Sequence, residues 1–165
     1  MRTRTVRTLT TLALAAAVGL GAAATSVHAQ SPGALTLTGA RGLDTTLSQN
    51  AMRYHGRVAL DANYNGLALD HSEGERIARA MGTADIAFLG NHGVVVCGER
   101  MDYAYDDLYI LERACMVEVL ARSTGLPLVA VDAALVSSVA EQINGERLQS
   151  TLFFEALRRL VPAAR

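Results

Sequence analysis

The chain has no lysine and no tryptophan, three prolines and two cysteines. Each shortage excludes something. The 15 Lys-or-Arg positions are therefore all arginine, spread among 16 acidic residues for a formal charge of −1. No basic run and no cluster of aromatics with arginines between them exists, so neither nucleic acid nor an anionic membrane surface is an expected partner. Two cysteines cannot staple a small loop-rich fold. Cys97 ends an apolar strand, and Cys115 lies mid-helix among Leu111, Met116 and Val119. Both read as small buried hydrophobes, and a bridge between them would need the helix to set Cys115 directly over the strand end. No apolar run approaches the length of a membrane span; the nearest, Leu12–Leu20, is too short for a comfortable one. Histidine is scarce too, with four in all: His28, His55, His71 and His92.

The first 29 residues have the pattern of an export signal. Arg2, Arg4 and Arg7 form a basic start, Leu12–Leu20 an apolar core, and Val27-His28-Ala29 offers small residues where a signal peptidase reads. The expectation is a periplasmic or secreted protein, cleaved between Ala29 and Gln30, with residues 1–29 packing on nothing. The other reading is an ordinary N-terminal helix. Removing 29 of 165 residues leaves 136 and takes three arginines, moving the formal charge from −1 to −4. That is enough chain for one core. Residues 30–45 read as a flexible linker with a first strand (Ala34–Thr38), and residues 46–165 as the domain.

The stretch from Thr83 to Gly125 organises the rest. Ile86–Leu89 and Val94–Cys97 are short, apolar, β-branched runs flanking Gly90-Asn91-His92-Gly93, which predicts two buried strands joined by a tight turn. From Arg100 to Thr124 there is neither glycine nor proline, and Gly125 then Pro127 can end the helix predicted over Met101–Thr124. A strand-end histidine such as His92 can aim its imidazole into a cleft, where a metal ligand would sit. It can equally be an ordinary polar turn residue.

Elsewhere, Gln49–Ala59 alternates Arg53, His55 and Arg57 with Met52, Tyr54 and Val58, suggesting a half-buried strand. Its polar face is either an anion or substrate-phosphate contact or a solvated face near a subunit boundary. Asn63–Gly66 reads as a turn, and Ser72-Glu73-Gly74-Glu75 as a capping box opening a short helix that ends at Gly82. On the long helix, Ala104, Leu108, Leu111, Cys115 and Val119 recur at helical spacing. Tyr105, Tyr109, Met116 and Leu120 widen the stripe, so one side is expected on the sheet and the other against a neighbouring subunit. Glu118 and Arg122 form an i, i+4 pair, and Asp106, Asp107 and Glu112 read as a wet edge. Asp132 can cap a helix running through Ile143, and a last helix, Leu148–Leu160, is expected to dock through Leu152, Phe153, Ala156 and Leu160.

Four blocks, QNAMRYHGRVALDANYNGLALD, EGERIARAMG, LGNHGVVVCGE and AYDDLYILERACMVEVLA, resemble the class II aldolase/adducin family over about Ala34 to Pro162. The resemblance implies an α/β fold: a class II aldolase-like mixed sheet flanked by helices, present here as the C-terminal part of the domain. It also implies oligomers with sites at subunit boundaries. The aldolases of the family hold a divalent metal, usually zinc, through three histidines, two from a His-x-His pair and one from the turn matching Gly90–Gly93. His92 is thus the implied third metal ligand; no residue is implied as catalytic.

The departure lies upstream. The position of the His-x-His pair, shortly before Ala34–Thr36, is occupied by Val27-His28-Ala29-Gln30, so His28 has no histidine two residues on. The family's phosphate-binding loop and catalytic glutamate have no counterpart either. Three functions follow from the resemblance. One is a divalent-metal-dependent aldehyde-lyase acting on a small hydroxy-ketone or sugar-derived substrate, another chain supplying the missing ligands. Another is a non-catalytic interaction module of the adducin kind, and the third an inactive truncated remnant.

Overall fold

The computed structural model describes residues 42–67 and 71–161 in full and residues 25–29 by their backbone. In chain order the elements are β1 (Thr25–Ala29), α1 (Gln49–Met52), β2 (Val58–Asp61), α2 (His71–Met81), β3 (Ile86–Leu89), β4 (Gly93–Gly98), α3 (Met101–Ser123), α4 (Ala133–Gly145) and α5 (Leu148–Leu160). Four strands make one sheet in the order β1-β4-β3-β2. β1 and β3 each run antiparallel to β4, while β2 and β3 are parallel, so the sheet is mixed as expected.

The β3–β4 hairpin is the centre of the sheet because its residues suit burial on a pleated surface. Pairing Ile86 with Val96 and Phe88 with Val94 puts four apolar side chains on one face. They join Leu43, Ala51, Tyr54, Leu111, Ala114 and Cys115 in the core. Taking each large side chain out of water contributes about 1.5–3 kcal/mol, so this face and the inner side of α3 hold the domain together. Both cysteines are free; Cys115 is buried, which pushes its thiol up to about 12, and Cys97 is partly buried.

α3 forms because nothing in it breaks a helix and its ends suit the dipole, with Asp102 in the first turn and Arg122 in the last. It stops at Thr124, where Gly125 takes φ +69°, a conformation that favours glycine. Ala104, Leu111, Ala114 and Cys115 are fully buried, but Met116 and Leu120 are exposed. One side of α3 is therefore open in the single chain, the side expected to meet a neighbouring subunit. α4 and α5 fall where the sequence placed them, Asp132 accepting a 2.9 Å hydrogen bond from the Ala134 amide as N-cap.

Four expectations are corrected. The Gln49–Ala59 segment is not a strand: the Ser48 hydroxyl caps the one-turn helix α1, residues 53–57 form turns, and only Val58 onward is extended. Its alternation came from a turn in which Tyr54 and Arg53 are both buried. Asp106 and Asp107 are not a wet edge, being 7% and 1% exposed. α5 docks through Ser150, Phe153 and Phe154, while Leu152 and Leu160 face solvent. Residues 25–29 do not stand apart from the fold, because β1 pairs with β4 along its whole length. The strand expected at Ala34–Thr38 lies outside the described residues.

Candidate functional site

The sheet order brings three strand ends to one edge. Register sets Asp61 beside Leu89 and Leu89 beside Gly93, with Ala29 beside Val94. The carboxyl ends of β1, β2 and β3 thus meet the turn that carries His92, and His28 stands one residue in from that edge, opposite Val95. His92 is held by a tight turn: its amide donates to the Leu89 carbonyl at 3.0 Å, and Asn91 takes φ +53°. Asparagine tolerates that left-handed conformation better than most residues. Gly90 is required for a different reason. Its amide donates to the Asp61 carbonyl at 2.7 Å, and a Cβ there would lie 2.7 Å from the Ala62 carbonyl oxygen. Only glycine lets the turn lie this close to the end of β2.

Tyr64, from the loop after β2, meets the His92 ring edge-on at 6.4 Å and 82°. Asp61 ends β2 with its carboxylate already committed, taking Arg76 at 2.5 Å and the Asn63 amide at 3.1 Å. Arg76 in turn clasps Glu73 at 2.7 and 2.9 Å, and hydrogen bonds to Glu73 and then Asp61 raise its pKa. Among the described residues no three His, Cys, Asp or Glu side chains come together in a way that could hold a metal ion. His55 lies elsewhere, with Nδ1 3.0 Å from the Thr45 hydroxyl, and His71 is exposed at the start of α2.

Arg53 and Arg57 enter neither of the roles their alternation suggested. They belong to a buried charge network: Arg53 pairs with Asp106 and, at 2.8 Å, with Asp107. Arg57 reaches Asp85 at 2.6 Å, Asp107 at 2.8 Å and the Asn144 side-chain oxygen at 2.8 Å. Arg147 clasps Asp107 with two 2.9 Å bonds, and the Ser150 hydroxyl donates to Asp106 at 2.7 Å. Burial alone would raise the Asp107 pKa; the Arg147 hydrogen bonds and the charges of Arg57 and Arg53 outweigh it and hold the carboxyl below its ordinary value. Beside this network lies an open cleft of about 510 Å³, with Gln49, Arg53, Asp106, Tyr109, Gln142 and Phe153 in its walls.

A turn-borne histidine thus lies at the carboxyl edge of a mixed sheet, backed by a 23-residue helix. The chain belongs to the class II aldolase and adducin N-terminal domain family, whose model matches residues 20–119. The match begins within the segment expected to be an export signal and takes in β1. A Pseudomonas aeruginosa protein grouped with the class 2 aldolases is 32% identical over 82 residues, 50% of this chain and 32% of the relative. The decarboxylase NovR of Streptomyces niveus is also 32% identical, over 81 residues, 49% of this chain and 30% of the relative. The crystal structure of an aldolase II superfamily protein from Pseudomonas syringae superposes with a TM-score of 0.71 at 30% identity, over 81% of this chain and 54% of that one. The chain spans about a third of the length of these curated relatives and about half of that structure.

The sequence alone located His92 and the turn. It missed Tyr64 and the Asp61–Arg76–Glu73 chain, which gather only because β2 runs parallel to β3 and α2 folds back beside it.

Proposed function

We propose that this chain is a non-catalytic interaction module that keeps a two-histidine remnant of a metal-lyase centre at the carboxyl edge of its sheet. Ligand number carries this reading. A catalytic zinc needs about three protein ligands. Of the four histidines only His28 and His92 come to the sheet edge, and Asp61 is neutralised by Arg76. Where the family pattern asks for the second histidine of the pair, the sequence has Gln30. The residues present do not fit a tightly held divalent metal.

A second reading is favoured by one observation, the meeting of β1 and the His92 turn at a single edge. In it, another chain completes the ligand set and the assembly is a metal-dependent lyase for a small hydroxy-ketone or sugar-derived substrate. The decarboxylase among the relatives warns against assuming one chemistry for the family.

Metal content and native mass measured together on the purified full chain separate the two. We expect far less than one zinc per chain in the wild type, and a rise towards one in Gln30→His that a further His92→Ala removes. Stoichiometric zinc in the wild type, lost on His92→Ala, would overturn the module reading in favour of the lyase.

A further inference from the structure

Of the residues that the sequence assigned to docking α5, Phe153 docks, while Leu152, Ala156 and Leu160 are left outside. Ser150, Phe153 and Phe154 hold α5 to α3, with Phe153 5.0 Å from the Tyr109 ring and Phe154 5.6 Å from Tyr105. The opposite face carries Leu148, Leu152, Ala156 and Leu160, one every four residues and so on one side of the helix. Leu148, Leu152 and Leu160 are 71%, 60% and 78% exposed, and Ala156 is exposed as well. Glu155 and Arg159 flank the same stripe on one side, both exposed, four residues apart and opposite in charge, with the Glu155 carboxylate also taking Arg158 of its own helix at 3.1 Å. A helix only three turns long rarely leaves three leucines in a row to water without a partner.

We propose that this face of α5 pairs with α5 of a second copy of the chain, antiparallel about a two-fold axis at Ala156. The stripe is self-complementary in that arrangement and in few others. An axis at Ala156 sets Leu152 of each copy opposite Leu160 of the other. The alanine at the axis lets the helices approach to about 8 Å, the close end of helix packing. Arg159 of the partner subunit then comes level with residue 153. At about 1.5 Å per residue it lies roughly 3 Å along the axis from Glu155, on the same flank, and the contact occurs twice by symmetry. A lipid surface or an unrelated apolar partner would cover the leucines but has no use for this charge order. The pairing goes beyond the module reading and does not depend on the state of the sheet edge. It also differs from the subunit boundary expected on α3, whose open side includes Met116 and Leu120.

Sedimentation velocity or light scattering of the full chain across a concentration series tests the pairing. We expect a wild-type dimer, abolished in Leu152→Asp. Glu155→Arg and Arg159→Glu should each weaken it by about tenfold, through two like-charge contacts. The double variant Glu155→Arg/Arg159→Glu should recover the wild-type affinity, which a variant that merely misfolded would not do. A monomeric wild type overturns the proposal. So does a dimer indifferent to the single charge changes but broken by Leu120→Asp, which would move the interface to α3.

Discussion

The sheet edge and the buried charge network both draw on arginine and aspartate, yet they differ in how far each is closed off from water. In the network each charge meets its opposite: Asp107, 1% exposed, is shared by Arg53, Arg57 and Arg147, so every change removes a partner from a group that cannot reach water. At the edge His92 is only partly buried, sits in a turn, and leans on Tyr64 through a loose edge-on contact. The edge is expected to tolerate substitution better than the network.

Three measurements sharpen that contrast. The largest effect is expected from Asp107→Ala, which takes a shared buried carboxylate from three arginines, Arg53 keeping Asp106 and Arg57 keeping Asp85. Removing one partner of a buried ion pair typically costs about 3–5 kcal/mol, so urea unfolding should show a loss of that size. A loss below about 1 kcal/mol would mean the network is solvated.

Acid should come next. Asp107 has a folded pKa below its unfolded value, so its contribution is complete above the ordinary carboxylate range near pH 4 and disappears as pH falls through the depressed folded value. The melting temperature should therefore drop steeply below about pH 4, and less steeply in Asp107→Ala, which has already lost this contribution. Parallel pH profiles for the two proteins would contradict the assignment. The smallest effect is expected at the edge: His92→Ala should shift stability by no more than about 0.5 kcal/mol, the usual range for a turn position outside the core. A loss several times larger in the melting curve would make His92 a structural residue.

Local pattern carried much of the fold because it was decided locally. The Ile86–Leu89 and Gly93–Gly98 strands follow from β-branched runs around an Asn-His-Gly turn, and α3 from the lack of any breaker between Arg100 and Thr124. What failed needed tertiary information. Arg53, Tyr54 and Arg57 alternate like a strand only in one dimension; the Ser48 cap and the pull of Asp106 and Asp107 from α3 wind the segment into turns instead. Thr25–Ala29 illustrates an ambiguity of composition, since small and β-branched residues around Val27-His28-Ala29 suit a peptidase as well as an edge strand. The place of His92 at the junction of two strands was legible. That His28 reaches the same edge depends on β1 pairing with a strand nearly seventy residues later, which no window of sequence reveals.

The network also has a consequence in time. Arg57 bonds residues 28, 50 and 87 positions away, and Asn144 returns to the Arg53 carbonyl across 91. Contacts that close such long loops are slow to find, because chain entropy must be surrendered before they form. The hairpin and α3, whose internal hydrogen bonds are local, can be in place at the folding barrier while the arginines are still unpaired. The charge network then acts less as a nucleus than as a latch, set after the barrier on the way in and released before it on the way out. In Asp107→Ala the lost stability should surface as faster unfolding with the refolding arm of the chevron nearly unchanged, giving a domain that still assembles promptly but no longer stays shut.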